Sequence, residues 1–157
     1  MRRVTLLHGK QRYTISVRAI PATGHMLRVM LENAAEPTVL EVRKVLYDVG
    51  KNGRIKAVEL KVWHRSNLAP SSDVLASRFW TEIEWVSGPR PPCIGDSVRL
   101  HGDEFADRPD LTVWDVIHDI DRVGKRQTVK VRVVDASPQR VDSDSCFGLI
   151  GGGYLIE

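Results

Sequence analysis

The sequence predicts an all-β protein made of two small, similar β units. Three observations predict it. Apolar and polar residues alternate with period two along most of the chain. The alternating runs are short and are separated by turns containing Gly, Asn and Pro. The order of patterns in the second half echoes the order in the first. Length and composition agree. A chain of 157 residues, 42% hydrophobic and 27% charged, suits one compact domain or two very small ones and argues against wholesale disorder.

The elements follow in order. Val4, Leu6 and His8 alternate up to a turn at Gly9-Lys10. Tyr13, Ile15, Val17 and Ala19 alternate after it, which makes a hairpin with one apolar face. Pro21 and Gly24 close that unit, and residues 25–31 read as a strand. Residues 38–49 form a second long run. The turn from Gly50 to Gly53 contains Asn52-Gly53, a strong hairpin signal, and leads to Val58, Leu60 and Val62 in alternation with Glu59 and Lys61. Residues 66–73 are rich in Ser, Asn, Pro and Ala and read as a linker or exposed loop. Phe79, Thr81, Ile83 and Trp85 make a further strand, and the Pro-rich run 88–92 ends it. Strands then open at 95–100 and 112–116, with a turn at 123–125 before Val129, Val131 and Val133. Glycines 148 and 151–153 precede an apolar end, Tyr154 to Glu157, that suits a short closing strand.

Residues 38–49 and 112–123 each begin like a helix capping box and carry an apolar stripe at helical spacing. Their density of β-branched residues favours strands. One or two short helices remain compatible with the pattern. The two segments correspond at a spacing of 74 residues, from Thr38 to Thr112 and from Val49 to Val123. The expected division is a basic β unit over 1–66, a linker or loop over 67–75 and an acidic β unit over 76–157. The expected core is Ile15, Val17, Val42, Leu60, Val62, Ile83, Trp85, Val98, Leu100, Val116, Val131 and Val133. The four tryptophans, Trp63, Trp80, Trp85 and Trp114, each lie in or beside a strand and are expected to fill it out. The opening Gly-Asp-Ser-Val-Arg-Leu at 95–100, its following loop and the Val-rich hairpin resemble the Src-homology-3-like small β-barrels in organisation. The resemblance covers about residues 93–135 and, less closely, 25–64. It implies an architecture and no activity.

Charge divides the chain. The overall +3 is the sum of +8 over residues 1–70 and −5 over residues 71–157. No stretch approaches the ~18 to 20 apolar residues of a membrane span. The start, Met1-Arg2-Arg3, lacks the apolar run of a signal peptide. Cys93 and Cys146 show no metal-type spacing, so free thiols, a cytoplasmic location and no membrane partner are expected.

Candidate chemistry is sparse. The acidic stretch 103–121 with His101 and His118 offers oxygen and imidazole donors, so His101, Asp103, His118 and Asp119 are the candidate metal ligands. The stretch lacks the order of a calcium loop and reads first as solvated acid. Asp119 with Asp121, and Asp142 with Asp144, would share strand faces, but nothing around them suggests a cleft. Neither cysteine carries a nucleophile signature. The C-terminal glycines lack the following helix that a phosphate cradle uses. No cofactor is implied. The clearest functional signal is the basic first half, where Arg12, Arg18, Arg43, Lys44 and Arg65 are the candidate binding residues. The expected function is a non-enzymatic binding or adaptor module that acts on a protein partner or on itself, steered by charge. A nucleic-acid-binding protein using the basic half is the alternative, and a metal-dependent enzyme is the third reading.

Overall fold

The computed structural model describes residues 2–31, 34–86, 90–102, 110–121 and 126–135. Nine strands account for 58% of the described residues, with almost no helix among them. The strands are β1 (Arg2–His8), β2 (Gln11–Val17), β3 (Met26–Val29), β4 (Thr38–Val49), β5 (Ile55–Arg65), β6 (Phe79–Glu84), β7 (Ser97–Val98), β8 (Leu111–Ile120) and β9 (Gln127–Asp135). One short helix, α1 (Ser72–Leu75), interrupts the 66–78 connection and is capped by the Ser71 hydroxyl, which accepts from the Val74 amide.

Local sequence explains the hairpins. β1 and β2 pair antiparallel across Gly9-Lys10, where Gly9 takes φ 63°. β4 and β5 pair across residues 50–54, with Gly53 at φ 79°. Residues 38–49 are therefore a strand and not a helix, as their β-branched content favours.

The described residues do not form two closed barrels. They form one nine-stranded sheet, ordered β2-β1-β5-β4-β3-β8-β9-β6 with β7 beside β8, which curls into a half-barrel. The reason is β3. One edge of β3 pairs antiparallel with β4 and the other pairs parallel with β8, from Met26↔Ile117 to Val29↔Ile120. That second pairing joins the two halves of the chain edge to edge, and Arg28 reaches Asp119 at 2.8 Å across it. The bulges in β4 and β8 add the local twist that lets long strands curl.

The core lies in two clusters. The first gathers Val4, Leu6, Val17, Leu27, Val29, Leu40, Val42, Val58, Leu60 and Val62, and takes Ile120 from the second half. The second gathers Leu111, Val113, Val116, Val129, Val131 and Val133, with Phe79, Ile83, Trp85, Val98 and Leu100 packed against it. Every expected core residue falls in one cluster or against it. Of the four tryptophans only Trp85 packs against a cluster; Trp80 and Trp114 are half-buried outside both, and Trp63 is 60% exposed. It sits near the end of β5, on a face that no other layer of the described residues covers.

The two halves share a pairing register, displaced by 71 residues and not by 74. Val42↔Val62, a bulge, then Lys44↔Lys61 in β4–β5 becomes Val113↔Val133, a bulge, then Asp115↔Arg132 in β8–β9. Met26↔Glu41 and Leu27↔Leu40 become Ser97↔Thr112 and Val98↔Leu111. The turns before them match bond for bond. Gly24 N donates to Val42 O at 2.8 Å and Val42 N to His25 O at 2.9 Å. Gly95 N donates to Val113 O at 2.9 Å and Val113 N to Asp96 O at 2.8 Å. Both glycines have positive φ, 89° and 96°, which a side chain would strain.

Candidate interaction surfaces

Three arrangements are candidates for function: a buried histidine pair, a basic face around Trp63, and an open strand edge.

The histidine pair lies where the halves join. His25 precedes β3 and His118 lies on β8, and both are buried. His25 Nδ1 is 2.9 Å from His118 Nε2. The Ala22 amide also donates to His25 Nδ1, so that nitrogen carries no proton. His118 must then donate from Nε2 and accept at Nδ1, where the Gln127 amide nitrogen lies at 2.8 Å. Gln127 completes the chain by donating to the Ala19 carbonyl and accepting from the Arg18 and Ala19 amides. Both rings are therefore neutral. Burial lowers His25 to about 4, and burial with the charge of His25 lowers His118 to about 3. His25 Nε2 has no hydrogen-bond partner among the described residues. The network ties β3, β8, β9 and the end of β2 together, a structural task.

The basic face lies on β4 and β5. Lys44 and Lys61 are directly opposed across the ladder and both are exposed. Arg43 stacks over the Trp63 ring at 4.1 Å. Arg43 and Arg65 both bind Glu41, at 3.2 and 2.6 Å, and Arg12 binds Glu59 at 2.9 Å. An open groove of about 900 Å³ beside them is lined by His8, Lys10, Arg12, Lys61, Trp63 and His64, among others. Four of the five candidate binding residues thus gather around β4 and β5. Arg18 stands apart, its guanidinium on the Gln127 carbonyl.

The candidate metal ligands are not brought together. Both ring nitrogens of His118 are engaged, Asp119 is paired with Arg28, and His101 is exposed on a loop. Asp103 lies outside the described residues, as do Cys146, Asp142, Asp144 and the glycine-rich end. Among the described residues no three His, Cys, Asp or Glu side chains could share a metal ion. Cys93 is an exposed free thiol.

The open edge is the second half of β4. On the side away from β5, β3 covers β4 only at residues 38–41. Residues 46–49 have no strand on that side among the described residues. Leu46, Tyr47 and Val49 are 44%, 50% and 52% exposed. Their counterparts in the shared register, Ile117, His118 and Ile120, are 3%, 0% and 2% exposed, because β3 lies against them.

Sequence reasoning missed the edge, since alternation places a strand without saying which of its sides is filled. It also missed the histidine pair, whose members are 93 residues apart with no local motif. The helix among the described residues is too short and polar to cross a membrane. The chain matches no protein-family model, no curated protein and no solved structure.

Proposed function

We propose that this protein is a non-enzymatic binding or adaptor module that recognises protein through the open edge of β4. One observation carries the reading. On the side away from β5, residues 46–49 have no partner strand among the described residues and present three exposed apolar side chains, while the same register positions in the second half are covered by an added strand. Unprotected edges are templates for strand addition, with main-chain bonds giving affinity and side-chain pockets giving specificity. The shared 71-residue register supports reading the halves as two related β units, one with its edge filled and one with its edge open.

The test uses lysines as edge blockers. Tagged wild-type chain and Leu46→Lys/Val49→Lys are used to capture proteins from the source cells, with and without nuclease. The expected result is a nuclease-resistant set of proteins that the lysine variant loses while its melting temperature holds. An unchanged set, or one abolished by nuclease, overturns the reading.

The basic face favours nucleic acid as a second reading. Like charges directly opposed across strands, as at Lys44 and Lys61, are unfavourable unless an anion relieves them, and Trp63 beside them offers a stacking surface. Anisotropy with labelled single- and double-stranded DNA and RNA over a salt series checks it. The expected result is binding that weakens steeply with salt, with a slope shallower by about one for each of Lys44→Ala and Lys61→Ala. Absence of binding at low salt removes this reading. The edge-lysine variant leaves this binding intact, so the two readings separate.

A further inference from the structure

The chain contains a worked example of what its open edge accepts. β3 of the first half pairs parallel with β8 of the second at Met26↔Ile117, Leu27↔His118, Arg28↔Asp119 and Val29↔Ile120. Applying the 71-residue register to both partners gives a second junction, one that the described residues of a single chain leave unmade. It would set Ser97, Val98, Arg99 and Leu100 against Leu46, Tyr47, Asp48 and Val49. Both sides of that junction are open among the described residues. Ser97 and Arg99 are exposed, and β7 pairs only with β8 among the described residues. Residues 46–49 are the open edge described above.

The chemistry carries over with the register. Arg28 and Asp119 form the ion pair across the filled junction. Their counterparts are Arg99 and Asp48, again a cation and a carboxylate. Among the described residues Arg99 is held by an exposed contact to Asp110, and Asp48 is exposed. His25 and His118, which touch across the filled junction, correspond to Asp96 and Tyr47, a carboxylate and a phenol able to donate to it.

We propose that the open edge of β4 takes β7 of a second copy of this chain, so that copies join head to tail by the same parallel strand pairing that joins the two halves within one copy. This inference rests on the edge-binding reading above and names its partner. The contact is heterologous: each copy offers a donor strand at one end and an acceptor edge at the other. Such contacts close into rings or run on as filaments. The donor and acceptor faces lie on different halves, so the basic first half of one copy meets the acidic second half of the next.

Sedimentation and light scattering on the purified chain over a concentration series test this, using charge reversals at exposed positions. The expected result is a wild-type mass rising to a multiple of 17.7 kDa. Asp48→Arg and Arg99→Asp should each weaken association at least about tenfold, since like charges then face each other in the junction. Mixing the two single variants should restore assembly with the two variants alternating, because the native Arg99–Asp48 pair forms at one junction and the two reversed charges meet at the next. The double variant Asp48→Arg/Arg99→Asp should regain the full assembly. A wild-type chain that stays monomeric throughout overturns the proposal. So does an assembly that both single variants leave unchanged. A monomer whose Leu46→Lys/Val49→Lys variant still loses captured proteins fails the self-pairing and leaves edge recognition standing. A monomer whose capture is unaffected fails both.

Discussion

Replacing Arg132 with methionine lowers the unfolding free energy by about 3 kcal/mol, as expected when one partner of a buried ion pair is removed and the other stays. Arg132 lies on β9 with its side chain only 6% exposed. It donates to Glu82 on β6 at 3.1 Å, to Asp115 on β8 at 3.2 Å, and to the Leu68 carbonyl. It therefore ties three strands of the second half to the loop that precedes α1. Burial pushes the Asp115 carboxyl up, and Arg132 opposes that shift. Without Arg132 the carboxyl rises further, and the variant's deficit relative to wild type shrinks as pH falls, because neutral Asp115 needs no counter-charge. Urea unfolding of both proteins at matched pH measures it. Asp115→Leu placed on Arg132→Met should recover part of the loss, since an apolar pair leaves no stranded charge. A loss below about 1 kcal/mol would show that the guanidinium is a surface group in effect. Limited proteolysis adds a local readout: the 66–71 loop, released from Arg132, should be cut sooner.

Much of the fold was legible. The Gly9-Lys10 and Asn52-Gly53 turns place two hairpins, and Val129, Val131 and Val133 place β9. These features are local, and local alternation with a turn between has few other solutions. The spacing of 74 read from the sequence rests on look-alike residues, Thr38 with Thr112. Register depends on which residues face each other, and the bulges at Val42 and Val113 fix it at 71. Two separate barrels were expected because sequence gives strands but not the partner of an edge. The pairing of β3 with β8 links residues about ninety positions apart and leaves no local trace.

The candidate surfaces were legible in part. The basic residues were visible as charge, and Arg12, Arg43, Lys44 and Arg65 do gather on one region. Which of them are already neutralised was not visible: Glu41 serves two arginines and Glu59 a third. Arg132 looked like one more polar residue in an alternating strand. The adjacent Val133-Val134 was the available signal that both faces of β9 are covered there, since both are buried. His118 was legible only as a metal candidate because an isolated imidazole carries no sign of its partner.

Acidification from pH 7 to pH 5 should destabilise the fold by about 4 kcal/mol, through His25 and His118 together. The sign follows from where each proton binds. An unfolded histidine titrates near 6.5, whereas the folded rings titrate at about 4 and about 3. Between those values the unfolded chain holds protons that the folded chain refuses, so stability falls with pH from about 6.5 down to about 4 for His25 and about 3 for His118. At pH 5 each ring contributes about 2 kcal/mol of that loss. Geometry gives the same answer as burial. A proton on His25 Nδ1 would face the Ala22 amide and the His118 Nε2–H, and a proton on His118 Nδ1 would face the Gln127 amide hydrogen. Neither ring can accept charge without turning an acceptor into a donor against another donor. Urea unfolding at pH 7, 6 and 5 measures the slope. His118→Phe keeps the volume, removes one titrating ring and should roughly halve that slope, although its stability at pH 7 is lower because Gln127 loses an acceptor. A wild-type stability flat from pH 7 to 5 would overturn the account, and so would a His118→Phe slope equal to wild type. Because the pair sits on the β3–β8 junction, the strands it joins should lose amide protection first as the pH drops.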